Sequence, residues 1–202
     1  GVFLKGVGFV WAIVKGIERA IAIARRGKDP RPVGRMLDER SFVNAIVGLH
    51  ATGGSTNHTL HLPAMAAAAG ITLTWQDFAD LSEVTPLLAR VYPNGQADVN
   101  HFHAAGGMGY VIAELFGAGL LDSSAATVSG DSLADYAREP LLSDNGLVWR
   151  DAPSTSLDTD ILRPAGDPHA PNGGLRMLDG NLGKAVIKIS AVAEERRLIE
   201  AP

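Results

Sequence analysis

Residues 51–62 of this chain, Ala-Thr-Gly-Gly-Ser-Thr-Asn-His-Thr-Leu-His-Leu, form a polar turn between two segments with helical character. The preceding helix is predicted to begin at Asp38 and to stop before Gly53. The apolar run that follows contains Pro63, so the next helix either kinks there or has a regular part that begins near Pro63 and ends at Gly70. Glycines allow close backbone approach, and hydroxyl and amide groups beside a helix start can bind an anion. The other interpretation is two ordinary helix ends, capped by glycine and by Ser, Thr or Asn.

Helical periodicity continues on both sides of this stretch. Upstream, apolar residues recur at helical spacing over residues 13–24, and Gly27 lies at the predicted end. Thr74 and Asp77 have the spacing of a capping box, which predicts a short helix. A further helix is predicted from Gly106, with an apolar face of Val111, Ile112, Leu115 and Phe116. The apolar stripe of the helix after Asp38 is predicted to consist of Phe42, Val43, Ile46 and Leu49.

The last third of the chain changes to loop and β character. Residues 123–172 are rich in Ser, Asp, Pro and Gly and predict a long irregular connection, with one short strand at residues 147–149. Beyond it, residues 175–178 and 185–189 flank an Asp-Gly-Asn turn, which predicts a β-hairpin. The pattern indicates an α/β chain.

The first fourteen residues are apolar except for Lys5. Lys5 and Lys15 enclose far fewer than the roughly 20 apolar residues that a membrane span needs. The segment also lacks the basic start and the cleavage site of a signal peptide. We therefore expect residues 1–14 to be buried core, and we expect a cytoplasmic protein with no membrane partner.

Composition narrows the possible chemistry. The chain has 202 residues, 18 Lys and Arg against 22 Asp and Glu, and a net charge of −4, so nucleic acid is not an expected partner. It has no cysteine, which excludes disulfides, a cysteine nucleophile and cysteine-ligated zinc or iron–sulfur groups on this stretch.

Two histidine pairs leave a metal site open as an alternative. His58 and His61 can share a helix face, and His101 and His103 can share a strand face. The HExxH pattern and acidic partners at matching spacing are missing, so the preferred interpretation is hydrogen-bonded or substrate-contacting histidines. The glycines of residues 106–109 lack the order of a dinucleotide-binding loop.

Several separated strings resemble the family of dihydroxy-acid dehydratase and 6-phosphogluconate dehydratase. These strings are residues 43–47 (VNAIV), 51–62, 92–95 (YPNG), 97–102 (ADVNHF), 104–107 (AAGG), 173–174 (GG) and 180–183 (GNLG). The resemblance extends from about residue 33 to residue 202. Residues 57–59, 92–95 and 100–102 are similar to the 6-phosphogluconate branch rather than to the dihydroxy-acid branch.

The resemblance implies a hydro-lyase of the Entner–Doudoroff type that converts 6-phospho-D-gluconate into 2-dehydro-3-deoxy-6-phospho-D-gluconate. The alternatives are a dihydroxy-acid or other sugar-acid dehydratase of the same family, and a non-catalytic module that binds an anion. The family uses a 4Fe-4S cluster and Mg²⁺, but the family's cluster cysteines have no counterpart in this chain. A homodimer and a phosphorylated sugar acid as the small-molecule partner are also implied.

The resemblance also implies domain boundaries and substrate contacts. Residues 1–140 correspond to part of an α/β/α N-terminal domain, 141–172 to a linker, and 173–202 to the first strands of a β-barrel-like C-terminal domain. The substrate-facing residues carried over are Ser55, Thr56, Asn57, His58, Asn100 and His101.

Overall fold

The computed structural model describes residues 2–130, 132–143, 146–196, 198 and 200, with the backbone alone for residues 2–12, 140–142, 146–147 and 194. The α-helices are α1 (Val2–Ile23), α2 (Val33–Met36), α3 (Glu39–Thr52), α4 (His58–Ala68), α5 (Trp75–Val84), α6 (Val99–Ala105) and α7 (Gly107–Gly117). The strands are β1 (Arg138–Ser143), β2 (Gly146–Asp151), β3 (Arg176–Gly180) and β4 (Gly183–Ile187). Short 3₁₀ helices cover Leu133–Ala137, Ile189–Ala191 and Glu194–Arg196.

The strands form two separate antiparallel hairpins. In the first, Arg138 lies opposite Asp151, and in the second, Arg176 lies opposite Ile187. This mixture of helices and strands confirms the α/β class. The α/β/α layering, the barrel-like C-terminal domain and the boundaries at residues 140 and 172 stay predictions.

The β1–β2 hairpin lies where a mostly irregular connection was predicted. Only the strand at residues 147–149 is confirmed, and it is the centre of β2. The irregular prediction is wrong for β1, which pairs with β2 along its whole length. A cross-strand ion pair between Glu139 and Arg150, which lie directly opposite each other, helps to fix this register. The residue composition of a segment does not indicate which strands pair within it.

Helix α3 forms as the sequence predicts. The Asp38 carboxylate accepts a hydrogen bond from the Ser41 N–H at 3.0 Å, which caps the helix start. Phe42, Ile46 and Leu49 are buried as predicted, but Val43 is 41 % exposed. Residues 88 and 89 pack against the last turns of α3, where their N–H groups donate to the Ala51 carbonyl. Val43 lies in an earlier turn of α3, before this contact.

Helix α4 runs through Pro63, so the alternative in which its regular part begins near that residue is wrong. Proline has no N–H, and the carbonyl of Thr59, four residues earlier, therefore lacks its helical donor. The indole N–H of Trp75 supplies that donor at 2.9 Å. Helix α5 thus compensates for the proline of α4. The capping box that begins α5, made by Thr74 and Asp77, is confirmed.

The core consists of two buried apolar clusters on either side of α3. One joins the α3 residues Val47 and Ala51 to residues 88–89, to α7 and to residues 161–162. The other joins α3 to α4, α5 and Leu175. Helix α3 is therefore the central element against which the rest of the described chain packs, and both its C-terminal end and the start of α4 are fixed by buried neighbours.

Helix α1 differs most from expectation. Ile13 and Val14 are 46 % and 45 % exposed, so the prediction of a buried N-terminal segment is wrong for these two residues. The physical reason is that α1 is attached through polar contacts: Arg19 pairs with Asp29 at 2.9 Å and donates to the carbonyl of Val128 at 2.9 Å. The side chains of residues 2–12 lie outside the described part. No described helix has the length and apolarity to span a membrane.

Of the remaining predictions, the strand face shared by His101 and His103 is wrong, because both residues lie on helix α6, whose N-cap Asp98 starts a helical turn there. The others agree with the structure. Helix α7 begins within the glycine-rich stretch and buries Val111 and Leu115, whereas Ile112 and Phe116 are half-buried. The predicted C-terminal hairpin is confirmed as β3 and β4, joined by Asn181 and Leu182.

Candidate functional site

The turn between α3 and α4, residues 53–58, begins with a left-handed glycine. Gly53 has φ 57°, and the Gly54 N–H closes the end of α3 by donating to the Leu49 carbonyl at 2.9 Å. A β-carbon on Gly53 would lie 2.4 Å from the Asn94 amide nitrogen. The left-handed backbone therefore favours glycine at this position, and a side chain there would displace the Asn94 amide.

The next residues leave only some of their backbone donors unused. The N–H groups of His58, Thr59 and Leu60 donate to the carbonyls of the residues three positions earlier, at 3.0–3.1 Å. These three N–H groups at the start of α4 are therefore not free to bind an anion. The free backbone donors lie slightly earlier: within the described part of the chain, the N–H groups of Ser55 and Thr56 have no acceptor.

Asn57 is the N-cap of α4, but its side chain caps nothing. It makes no hydrogen bond to the helix, and its backbone N–H lies 3.3 Å from the Ser55 Oγ. Ser55 and Asn57 are both exposed, and Thr56 is half-buried. Hydroxyl, amide and two backbone N–H groups are therefore available together to a ligand with several oxygen atoms.

The contact of His58 with Ser55 assigns its tautomer. His58 Nδ1 lies 3.0 Å from the Ser55 carbonyl oxygen, which can only accept, so Nδ1 carries the proton. In the neutral ring, Nε2 then keeps its lone pair. Because the side chain is exposed, Nε2 is available either to accept a proton or to receive a hydrogen bond from a ligand.

Asn100 and His101 lie in the first turn of α6 rather than in the turn between α3 and α4. The Asp98 carboxylate accepts from both of their N–H groups, at 2.8 and 3.0 Å, and from His101 Nδ1 at 2.8 Å. The hydrogen bonds from His101 and Asn100 hold the pKa of Asp98 below its usual value. Among the described residues, no hydrogen bond joins Asn100 or His101 to residues 55–58.

The link between the two groups is residues 92–95, which sequence reasoning did not assign to the site. The Asn94 amide donates to the carbonyls of Gly53 at 2.9 Å and Thr52 at 3.3 Å. Three residues beyond Asn94, Ala97 bridges to Val91, and the N-cap Asp98 follows at once. In the sequence, the Tyr-Pro-Asn-Gly string indicates only a turn, because Pro, Asn and Gly are common turn residues.

A cleft of about 650 Å³ adjoins the turn. Its walls are mostly apolar residues of α3, α4 and α7, and Thr52, Gly54 and His58 contribute to its lining. An apolar wall suits packing against a hydrophobic surface better than it suits a charged sugar acid. The polar groups on the exposed side of residues 55–58 are therefore the better candidates for substrate contact.

A buried histidine lies just before the turn. His50 is fully buried, and its Nε2–H donates to the Phe78 carbonyl at 2.9 Å, while Nδ1 has no partner. Burial lowers its pKa to about 4, and the nearby positive charge of Arg176 acts in the same direction. His50 is thus a neutral structural residue and not part of the site.

The residues that the structure describes do not fit an iron–sulfur cluster or a metal ion. The sequence has no cysteine, and the described residues contain no group of three His, Asp or Glu side chains placed to hold a metal. The two histidine pairs are accordingly not brought together into a metal centre within the described part. Any cluster site would have to use other residues than these.

Comparison with known proteins identifies the class. Residues 12–136 match the family described as Dihydroxy-acid/6-phosphogluconate dehydratase N-terminal, so the chain belongs to this family. It is 60 % identical to the phosphogluconate dehydratase of Rhizobium meliloti over 92 % of this chain and 31 % of that protein. It is 57 % identical to the one of Pseudomonas aeruginosa over 85 % of this chain and 28 % of that protein.

A dihydroxy-acid dehydratase is less similar. The protein of that name from Nitratidesulfovibrio vulgaris is 38 % identical over 91 % of this chain and 31 % of the relative. The chain therefore spans less than a third of the length of these curated relatives.

Proposed function

We propose that this chain contributes to a phosphogluconate dehydratase. The observation that carries the proposal is the difference in identity: 52–60 % to relatives named phosphogluconate dehydratase, against 38 % to one named dihydroxy-acid dehydratase. This difference disfavours the dihydroxy-acid alternative. The reaction removes the C2 proton and the C3 hydroxyl of 6-phospho-D-gluconate as water. The resulting enol becomes 2-dehydro-3-deoxy-6-phospho-D-gluconate.

The residues of the turn between α3 and α4 are proposed to bind the substrate. The free N–H groups of Ser55 and Thr56, together with the side chains of Ser55 and Asn57, offer donors to the oxygen atoms of a carboxylate or a phosphate, and His58 Nε2 offers an acceptor to a substrate hydroxyl. Asn100 and His101 of α6 are proposed as further contacts. The 4Fe-4S cluster and Mg²⁺ of the family would be held by residues other than these.

The test is enzymatic and uses the full-length gene product, purified without oxygen and supplied with iron, sulfide and Mg²⁺. Formation of the 2-keto product from 6-phospho-D-gluconate is expected, with a much smaller rate on dihydroxy acids. Binding without product would favour the non-catalytic anion-binding alternative. Turnover of dihydroxy acids alone would overturn the proposed substrate.

The site is tested by the double variant Ser55→Ala/Asn57→Ala. Loss of two donors is expected to raise KM about tenfold or more. A matched control is Ser154→Ala/Asn181→Ala, which removes the same groups from exposed positions of other segments. Unchanged KM and kcat in the first variant would remove the turn from the site.

We further infer a cytoplasmic homodimer. The exposed apolar side chains of Ile13, Val14 and Ile17 on α1 support association, because a neighbouring surface would remove them from water. Light scattering of the full-length gene product is expected to give twice its chain mass. A monomeric mass would contradict this inference.

A further inference from the structure

A small polar network joins the end of α3 to residues that are distant from it in the sequence. It consists of the side chains of Asn94 and Ser190 and the carbonyl oxygens of Thr52, Gly53 and Gly174, and it is called here the Asn94 clamp. Asn94 Nδ2 donates to Gly53 at 2.9 Å and to Thr52 at 3.3 Å. Ser190 Oγ lies 2.8 Å from Asn94 Oδ1 and 3.1 Å from the Gly174 carbonyl.

The hydrogen-bonding capacities of these groups allow one arrangement. Carbonyl oxygens only accept, so the amide nitrogen of Asn94 must face Thr52 and Gly53, and its oxygen must face Ser190. Ser190 therefore donates, and its single proton is shared between Asn94 Oδ1 and the Gly174 carbonyl. Asn94→Ala leaves the Thr52 and Gly53 carbonyls without this donor, and Ser190→Ala leaves Asn94 Oδ1 without one, whereas the Gly174 carbonyl keeps the Ser190 N–H at 3.2 Å. An acceptor without a donor in a half-buried site is the costly case for a hydrogen bond.

The residues around the network are closely packed. A β-carbon on Gly53 would lie 2.4 Å from Asn94 Nδ2 and 3.0 Å from Ser190 Oγ. Gly174 packs against Gly53 in turn, and its own N–H donates to the His50 carbonyl at 3.1 Å. Four separate segments of the chain thus meet at the last residue of α3 and at the first residue of the turn.

The clamp acts where the turn leaves α3. Residues 55–58, which carry the proposed substrate contacts, follow Gly53 by two residues, and the carbonyls of Ser55 and Thr56 accept only from the start of α4, while their N–H groups have no acceptor in the described part of the chain. Their direction is therefore set by the ends of the turn: by the start of α4 on one side and by the Asn94 clamp on the other.

We propose that Asn94 and Ser190 are positioning residues for substrate binding, which act through the Gly53 carbonyl to aim the polar groups of residues 55–58. Neither side chain needs to touch the substrate. The proposal rests on the proposed function, since it presupposes that residues 55–58 bind a phosphorylated sugar acid.

The experiment measures KM and kcat for 6-phospho-D-gluconate in the full-length gene product with its cofactors loaded. Asn94→Ala is expected to raise KM about tenfold, as is Ser190→Ala, whereas Ser190→Thr keeps the hydroxyl and is expected to restore most of the affinity. The control is Asn44→Ala, because the Asn44 amide likewise ties α3 to a distant backbone, at Asp122, but far along the helix from the turn. It is expected to lower thermal stability comparably and to leave KM unchanged.

Combining the variants distinguishes a positioning role of Asn94 from a general destabilisation of the fold. In the Ser55→Ala/Asn57→Ala background, Asn94→Ala is expected to raise KM by less than twofold, because the groups that it positions are already gone. A full tenfold effect in that background would overturn the clamp's role while leaving the proposed function intact. So would an unchanged KM in Asn94→Ala, or an equal rise in KM in Asn44→Ala.

If Ser55→Ala/Asn57→Ala itself leaves KM unchanged, the proposed site fails and the clamp inference fails with it. If Asn94→Ala does not fold, Ser190→Ala and Ser190→Thr carry the same comparison. Equal KM values in these two variants would then overturn the proposal.

Discussion

Gly174 packs directly against the α-carbon of Gly53: a β-carbon built on Gly174 would lie 2.6 Å from that atom. The residues are 121 positions apart, and both belong to strings on which the family resemblance rests. One ends α3 and opens the candidate site, and the other precedes the β3–β4 hairpin. The contact therefore ties the candidate site to the last part of the chain.

The first prediction concerns this contact. Gly174→Ala is expected to lower the free energy of unfolding by about 1–3 kcal/mol, because a methyl group would overlap the Gly53 α-carbon, a backbone atom that cannot move aside. Urea denaturation measures the change. Gly166→Ala is the control, since a β-carbon there meets nothing within 4 Å and Gly166 is exposed. Equal stability of the two variants would show that the packing is looser than described.

The second prediction concerns the indole N–H that compensates for Pro63. Trp75→Phe leaves the Thr59 carbonyl without a donor and is expected to cost about 1–3 kcal/mol of unfolding free energy. Pro63→Ala restores a backbone N–H at the position that faces this carbonyl. In that background Trp75→Phe should cost about 1 kcal/mol less. Independent, additive effects in this double-mutant cycle would argue against the compensation.

The third prediction concerns His58 and rests on the proposed function. His58→Asn keeps a donor close to the position of Nδ1, so the bond to the Ser55 carbonyl can persist, but it removes Nε2. The expected result is an unchanged melting temperature with KM for 6-phospho-D-gluconate raised about tenfold. His61→Asn, an exposed position one turn further along α4, serves as the control. Wild-type KM in His58→Asn would remove Nε2 from substrate binding.

Local chemistry explains which parts of the fold the sequence predicts well. The start of α3 at Asp38 and the capping box of α5 depend on residues three positions apart, and the β3–β4 hairpin depends on its own turn. Strand β1 depends on a partner strand, and so no periodicity of its own reveals it. The path of α4 through Pro63 depends on a donor from the next helix, at Trp75.

The sequence likewise predicts one part of the candidate site and not the other. Residues 55–58 stand out in the sequence because glycines, hydroxyls and an amide adjoin a helix start. Asn94 and Ser190 do not stand out, because their role comes from contacts across 41 and 96 residues of chain. The exposure of Ile13 and Val14 was missed for a related reason: apolarity alone does not say which face has a partner.

The last prediction concerns the pH dependence of stability. His50 has a pKa of about 4 in the folded chain, because burial disfavours its charged form, against about 6.5 in the unfolded chain. Between these values the unfolded state binds more protons, so stability is fully present above about pH 6.5 and is lost as the pH falls toward 4. From pH 7 to pH 5 the loss from this group is about 2 kcal/mol. The half-buried His169, whose pKa burial also lowers, adds to the loss in the same direction.

The measurement is urea denaturation at pH 7, 6 and 5 for the wild type, His50→Gln and His169→Gln. Glutamine at position 50 can still donate to the Phe78 carbonyl but does not titrate, so its pH slope over this range should be clearly flatter than that of the wild type. The His169→Gln slope should lie between the two, because the lowering of the His169 pKa comes from partial rather than complete burial. A wild-type slope in His50→Gln would mean that the ring at position 50 binds protons equally in the folded and the unfolded chain, and so becomes charged near pH 6.5 inside the fold. Its unpaired Nδ1 would then need a partner that the described residues do not supply.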